Sequence, residues 1–200
     1  MHSVEKKIYL GLLVCLLVSV VGTSFAYFVS STTIGGEGGK ANMSTADMVG
    51  VNFDAGDSAI NLQNAMPGLG KEKGFAVTLT PTSNTKTITY AVKLNISENT
   101  FVKCDDTNYK ADEPNSNLCT KDAEELVYTL MDEEGNTLAT GDLLGKTESL
   151  ILKKETKTVD AETVFNYKLN VTYKDTNADQ NHNANKSFIG SLSVEFAQAD

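Results

Sequence analysis

Two cysteines in the body of the chain, Cys104 and Cys119, bracket the polar stretch CDDTNYKADEPNSNLC, with 14 residues between them. In an exported protein, thiols at this spacing favour a disulfide, which restricts the unfolded chain and contributes about 3 kcal/mol in the chain-entropy model. A pair of free thiols is the alternative. Inside the loop, Asp105, Asp106, Asp112 and Glu113 offer the carboxylate oxygens that a hard cation such as Ca²⁺ takes, against the competing reading of a solvated acidic loop. A second run, Asp175, Asn177 and Asp179, repeats oxygen-bearing side chains at alternate positions, as the opening of an EF-hand loop does. Gln180 stands where such a loop needs Gly for its sharp turn, and Lys186 where it needs a bidentate Glu. The segment therefore reads as a turn rich in Asn and Asp, at the tip of a long hairpin joining the last two strands.

For catalysis the inventory is poor. The two histidines are His2, in the N-terminal segment, and His182, in the Asn-rich loop, so a zinc hydrolase cluster of the H-E-x-x-H kind is absent. A Ser-His-Asp arrangement could recruit only His182, and no G-x-S-x-G elbow is present. The expectation is a protein that is not an enzyme and needs no cofactor, with Ca²⁺ the single ion worth testing. All 17 basic residues are Lys, against 26 acidic ones, so no guanidinium is available to grip phosphate, and nucleic acid is excluded as a partner. Without Lys6, Lys7 and Glu5 the remainder carries 15 positive and 25 negative side chains, a surface that keeps an exported domain soluble and repels anionic lipid.

Export is written at the N-terminus. Lys6 and Lys7 precede the apolar run Ile8 to Val21, and Ser24 and Ala26 place small side chains where a signal peptidase cutting between Ala26 and Tyr27 requires them. The rival is an uncleaved anchor helix, since Ile8 to Phe28 spans 21 residues, enough to cross a bilayer at about 1.5 Å per residue. Contact with a membrane is expected through this segment alone. Residues 1–26 are thus a signal peptide or anchor, 27–39 an N-terminal strand with a glycine-rich hinge, and 40–200 the folded domain.

The elements that must position these groups are strands. Tyr27 to Ile34 (YFVSSTTI) is β-branched and aromatic, and Gly35, Gly36, Gly38 and Gly39 separate it from the domain. Beyond the hinge, alternation with a period of two dominates: Phe75, Val77 and Leu79; Ile88, Tyr90, Val92, Leu94 and Ile96; Phe165, Tyr167, Leu169, Val171 and Tyr173; and Phe188, Gly190, Leu192, Val194 and Phe196. Weaker strands fall at Met43 to Phe53, Ser58 to Leu62, Leu126 to Met131, Thr137 to Thr140 and Thr147 to Lys153, with turns at Pro67-Gly68 and Glu134-Gly135-Asn136. About eight strands with one apolar face each must bury it against another sheet. The fold class predicted is all-β, an antiparallel β-sandwich.

Two stretches resemble the TasA/camelysin family of Gram-positive surface proteins. One is the junction Gly22-Thr-Ser-Phe-Ala26-Tyr-Phe28, similar to the family's export cut. The other is Asn61-Leu62-Gln-Asn-Ala-Met-Pro67-Gly68 leading into Phe75-Ala-Val-Thr-Leu79 and the long strand after it, similar to the family's turn and core hairpin. The Cys104 to Cys119 loop departs from that pattern. The resemblance implies a jelly-roll-like sandwich in a Gram-positive biofilm matrix or cell surface, self-associating or binding other surface and matrix proteins. It also implies a fibre subunit, in which Tyr27, Phe28, Val29 and Ile34 would belong to a strand donated to a neighbouring subunit, a mode in which main-chain bonds supply affinity. The same segment read simply adds a strand to its own domain. The alternative function is a tethered adhesin or ligand-binding sandwich whose acidic loops, at one end, form the contact surface.

Overall fold

The computed structural model describes residues 31–35, 40–43, 49–56, 59–81, 86–104, 119 and 121–198. The predicted N-terminal helix, the Ala26–Tyr27 junction, Tyr27, Phe28 and Val29, and the acidic residues Asp105, Asp106, Asp112 and Glu113 lie outside them. Among the described residues no helix is long and apolar enough to cross a membrane.

The described residues form eleven strands: β1 (Ser31–Gly35), β2 (Lys40–Met43), β3 (Gly50–Asp54), β4 (Ile60–Leu62), β5 (Gly70–Thr80), β6 (Lys86–Asn99), β7 (Leu126–Asp132), β8 (Thr137–Asp142), β9 (Leu150–Val159), β10 (Thr163–Tyr173) and β11 (Phe188–Gln198). They form two antiparallel sheets. One runs β1-β11-β6-β9, with β4 also on β11; the other runs β2-β3-β5-β10-β7-β8. Among the described strands only β2–β3 and β7–β8 are hairpins between chain neighbours, and every other connection crosses from one sheet to the other.

The dry faces read from the sequence are the faces that meet. Ile88, Tyr90, Val92 and Leu94 of β6, with Leu192, Val194 and Phe196 of β11, pack against Phe75, Val77 and Leu79 of β5 and Tyr167, Leu169, Val171 and Tyr173 of β10. Burying each such side chain stabilises the fold by about 1.5–3 kcal/mol, which is why strands with one apolar face cannot stay as a single exposed layer. Gly190 occupies the inward row of β11 beside a register shift, and a Cβ there would come within 3.1 Å of the Asn95 carbonyl. At Pro67-Gly68 the glycine takes φ +87°, and Leu69 N–H donates to the Met66 carbonyl at 3.0 Å, the geometry of a type II turn.

Three expectations need correction. The stretch Met43 to Phe53 is a hairpin of β2 and β3, because Lys40–Met43 fold back on Val51–Asp54. β5 and β6 form no core hairpin, and β10 and β11 are not joined by a long hairpin: each pair is divided between the sheets, so the segment carrying Asp175 and Asp179 crosses over the end of the sandwich. β9 continues to Val159 through Lys153, Lys154, Glu155 and Lys157, a charged sequence that alternation by hydrophobicity does not flag. The described part of the N-terminal strand, Ser31–Gly35, includes Ile34 and lies antiparallel along β11 of the same chain, Ile34 opposite Val194.

Candidate functional site

One end of the sandwich carries the elaborate connections: the β4–β5 turn, the β6–β7 segment, the β8–β9 turn and the β10–β11 crossover. Main-chain bonds tie them together. Ala65 N–H donates to the Lys186 carbonyl at 3.2 Å, Thr100 N–H to Ser187 at 3.0 Å and Gly145 N–H to Phe101 at 3.0 Å. The disulfide predicted from spacing is formed here, with the Cα atoms of Cys104 and Cys119 5.9 Å apart. Such a bond persists outside the reducing cytoplasm, and it makes this an extracellular type of domain. The non-glycine residues with left-handed backbone among those described, Asn64, Asp122, Asn177 and Asn185, all sit in these connections. Asn and Asp tolerate that conformation because their short side chains bond locally.

Under the loops lies a buried polar network. Glu125, 1% exposed, accepts from Asn183 Nδ2 at 2.8 Å, and the same amide nitrogen reaches the Val102 carbonyl at 2.9 Å. Asn183 Oδ1 in turn accepts from Val102 N–H at 2.9 Å, so one fully buried amide stitches the β10–β11 crossover to the segment before the disulfide. His182 Nε2 lies 3.4 Å from Glu125 Oε1, an ion-pair distance with no hydrogen bond across it. Tyr173 donates its hydroxyl to the Gln180 carbonyl at 3.2 Å. Burial, and after it the negative charges of Glu125, Asp175 and Asp179, push this phenol well above the usual tyrosine range, so it stays protonated and remains a donor.

Above the network opens a cleft of about 730 Å³ between the β4–β5 turn and the crossover. Asp175, Asn177, Asp179, Asn181 and Asn185 supply its polar wall, and Met66 and Pro67 an apolar ridge. Met66 is 71% exposed, Val102 40% and Leu69 39%, which puts three of the five large apolar side chains exposed among the described residues at this end.

The structure keeps Asp175 and Asp179 on one loop but uses them as turn formers. Asp175 Oδ1 accepts from Asn177 N–H at 2.9 Å and Asp179 Oδ1 from Asn181 N–H at 2.8 Å. No group of three or more His, Cys, Asp or Glu side chains converges on a common point among the described residues. His182, the one histidine a triad could have used, faces Glu125. The burial of Glu125, Gln180 and Asn183 was missed in the sequence, since all three lie between strands, where no alternation marks a side chain as buried.

A second polar cluster fills the open side of the sandwich, between β9 and β10. Opposite residues in the β6–β9 ladder pair Val92 with Lys153, Tyr90 with Glu155 and Ile88 with Lys157, so the three charged side chains share the inward face. Tyr90 donates to Glu155 Oε2 at 2.9 Å, and Lys153 Nζ lies 2.7 Å from Oε1. The Tyr90 and Tyr167 oxygens are 2.6 Å apart, bridging the sheets; because the single Tyr90 proton is directed at the carboxylate, Tyr167 is the donor between the two phenols. Burial raises the Glu155 carboxyl, but Lys153 and Tyr90 outweigh it and hold the group below its ordinary value.

No family model matches the chain, and no curated protein matches it either. Among solved structures it is similar to a carbohydrate-binding module from Cellvibrio mixtus lichenase 5A in complex with cellotriose, at 7% identity over 84% of this chain and 98% of that one, with a TM-score of 0.27. The CupB6 tip adhesin from Pseudomonas aeruginosa is similar at 12% identity over 62% of this chain and 36% of that one, TM-score 0.28. A further carbohydrate-binding module, in complex with β-1,4-galactotriose, is similar at 9% identity over 82% and 86%, TM-score 0.21. At these scores none of them bears on what this chain binds. What its own strands and loops define is an all-β, disulfide-bonded sandwich with one elaborated end.

Proposed function

We propose that this chain is an exported binding module that presents the loop end of its sandwich to a ligand. One observation carries the reading: an open cleft, three exposed apolar side chains and the left-handed residues all concentrate where a buried amide and a disulfide hold the connecting segments in place. Binding residues gather on loops that a rigid scaffold positions, and ordering the loops before binding lowers the entropic cost of association. We read the module as non-enzymatic, because His182, the histidine a triad could recruit, is turned to the buried Glu125 beneath the cleft.

The fibre-subunit reading asks the N-terminal strand to complete a neighbour's sheet, whereas Ser31–Gly35 lies on β11 of its own chain. Two measurements on the mature protein separate them. Binding to isolated cell envelopes should fall at least about tenfold, the equivalent of 1.4 kcal/mol, in a Met66→Asp/Leu69→Asp variant whose Tm is unchanged. Electron micrographs should show discrete particles. Filaments that vanish when residues 27–34 are deleted, together with envelope binding indifferent to Met66 and Leu69, would replace this function with the fibre.

A further inference from the structure

We propose that the loop-end cleft takes a neutral, polyhydroxylated ligand, an oligosaccharide without charged groups; this rests on the reading of the loop end as the binding face. The lining of the cleft selects for that chemistry. Among the described residues, the side chains around it include two carboxylates and four amides, and no Lys, Arg, His or aromatic residue. An anionic ligand would meet Asp175 and Asp179 with no cation among the described lining residues to offset them, at a cost that desolvation raises. Among the described lining residues a planar aromatic ligand would find no ring to stack on, and an organic cation no aromatic face of the kind that cages ammonium groups. A divalent metal ion would need several oxygen donors converging, and no such group of acidic side chains forms among the described residues.

Hydroxyl groups fit what remains. Each sugar hydroxyl donates one hydrogen bond and accepts others, and an Asn side chain offers both partners in one plane. Asn177, Asn181 and Asn185 stand on the wall in this role. The turns at Asp175 and Asp179 occupy one oxygen of each carboxylate, and the second oxygen is not needed by the turn. A carboxylate held by its own backbone in this way is a fixed acceptor, and bonds to a charged acceptor are the stronger kind. The Met66–Pro67 ridge gives the C–H face of a pyranose ring an apolar surface, and the volume of about 730 Å³ falls within the range of small-ligand sites.

The test uses the full mature chain and an array of neutral, uronic-acid and glucosamine oligosaccharides, followed by calorimetry on whatever binds and amide chemical-shift mapping. Neutral oligosaccharides should bind and shift residues 175–185. Asp175→Asn and Asp179→Asn each keep an oxygen for the turn while replacing the other acceptor with a donor, so Tm should hold and affinity should drop about tenfold per site. A charged oligosaccharide binding at residues 175–185 in place of neutral ones would overturn the ligand class and leave the loop end standing. Neutral glycan binding whose shifts fall on the outer sheet face near Asn166 and Lys168 would overturn the loop end itself. A folded chain that retains no glycan of any class would overturn the proposal.

Discussion

Glu125 and Glu155 are both carboxylates drawn into this molecule, and they are held in opposite ways. Glu125 sits beneath the loops, and its partners, Asn183 and His182, come from a single 3-10 turn, Asn181–Asn183, within the crossover. Glu155 sits on an edge strand, and its partners are side chains on regular strands: Lys153 and Lys157 beside it, Tyr90 across the ladder and Tyr167 beyond that. The first network replaces secondary structure, since the Val102 peptide finds its partner in an amide side chain. The second only decorates it, because the β6–β9 ladder is paired with or without those groups. Inward charges on β9 also discourage edge-to-edge pairing with another chain, a common way for sheet proteins to protect an edge. The difference teaches where specificity resides: at the loop end the polar network is the structure, and at the open side it is a seal.

Breaking the first network should therefore cost far more. Asn183→Ala strands one buried Glu125 oxygen and the part-buried Val102 N–H and carbonyl, at about 1–3 kcal/mol each and least for the part-buried pair, and a loss of about 4 kcal/mol is expected. For a chain of 200 residues this lowers Tm by roughly 10 °C, read by calorimetry. A shift under about 2 °C would mean that the amide is incidental. Next in size, Cys104→Ser with Cys119→Ser releases a closed loop of 15-residue separation and should cost about 3 kcal/mol in denaturant unfolding. Because Asn183 grips Val102, two residues before Cys104, the two losses should fail to add. A combined variant that loses their full sum would place the disulfide outside the bracing network.

The same contrast decides what could be read from the sequence. Period-two alternation at Ile88 to Leu94 and Phe165 to Tyr173 identifies inward residues correctly, and Tyr90 and Tyr167 were visible as members of dry faces. Their mutual contact was not, because alternation gives a face and says nothing about which strand of the other sheet lies opposite. The same gap explains the hairpins expected of β5–β6 and β10–β11: adjacency in the chain is a fair guess for neighbours in a sheet, and here nearly every connection crosses over. The second half of β9 escaped because its inward positions are charged: Lys153 and Lys157 use long aliphatic stems to lie inward, their ammonium groups 5.8 Å and 5.2 Å from the rings of Tyr167 and Phe165. At the loop end, spacing alone exposed the disulfide. Asp175 and Asp179 were legible as turn residues, yet nothing near Glu125 or Asn183 distinguishes a buried polar residue in a loop from an exposed one.

The seal gives the smallest effect and a distinct signature. Tyr167→Phe removes the hydrogen bond to Tyr90 while leaving Tyr90 bound to Glu155, so about 1 kcal/mol is expected at neutral pH. Burial pushes Tyr167 up to about 12, and Tyr90, whose proton the Glu155 carboxylate holds, is driven higher still, again by burial first. An unfolded tyrosine titrates near 10, so the folded chain holds the phenolic proton longer. The stability tied to it is intact below pH 10 and drains away as pH climbs through 12. Unfolding at stepped alkaline pH should show this limb in the native chain and a shallower one in Tyr167→Phe, with tyrosinate absorbance lagging for the buried pair. If every tyrosine ionised together near 10, the phenols would be solvated and the side of the sandwich open. The two carboxylates would then differ by the absence of a seal, and β9 would have only its lysines to guard its edge.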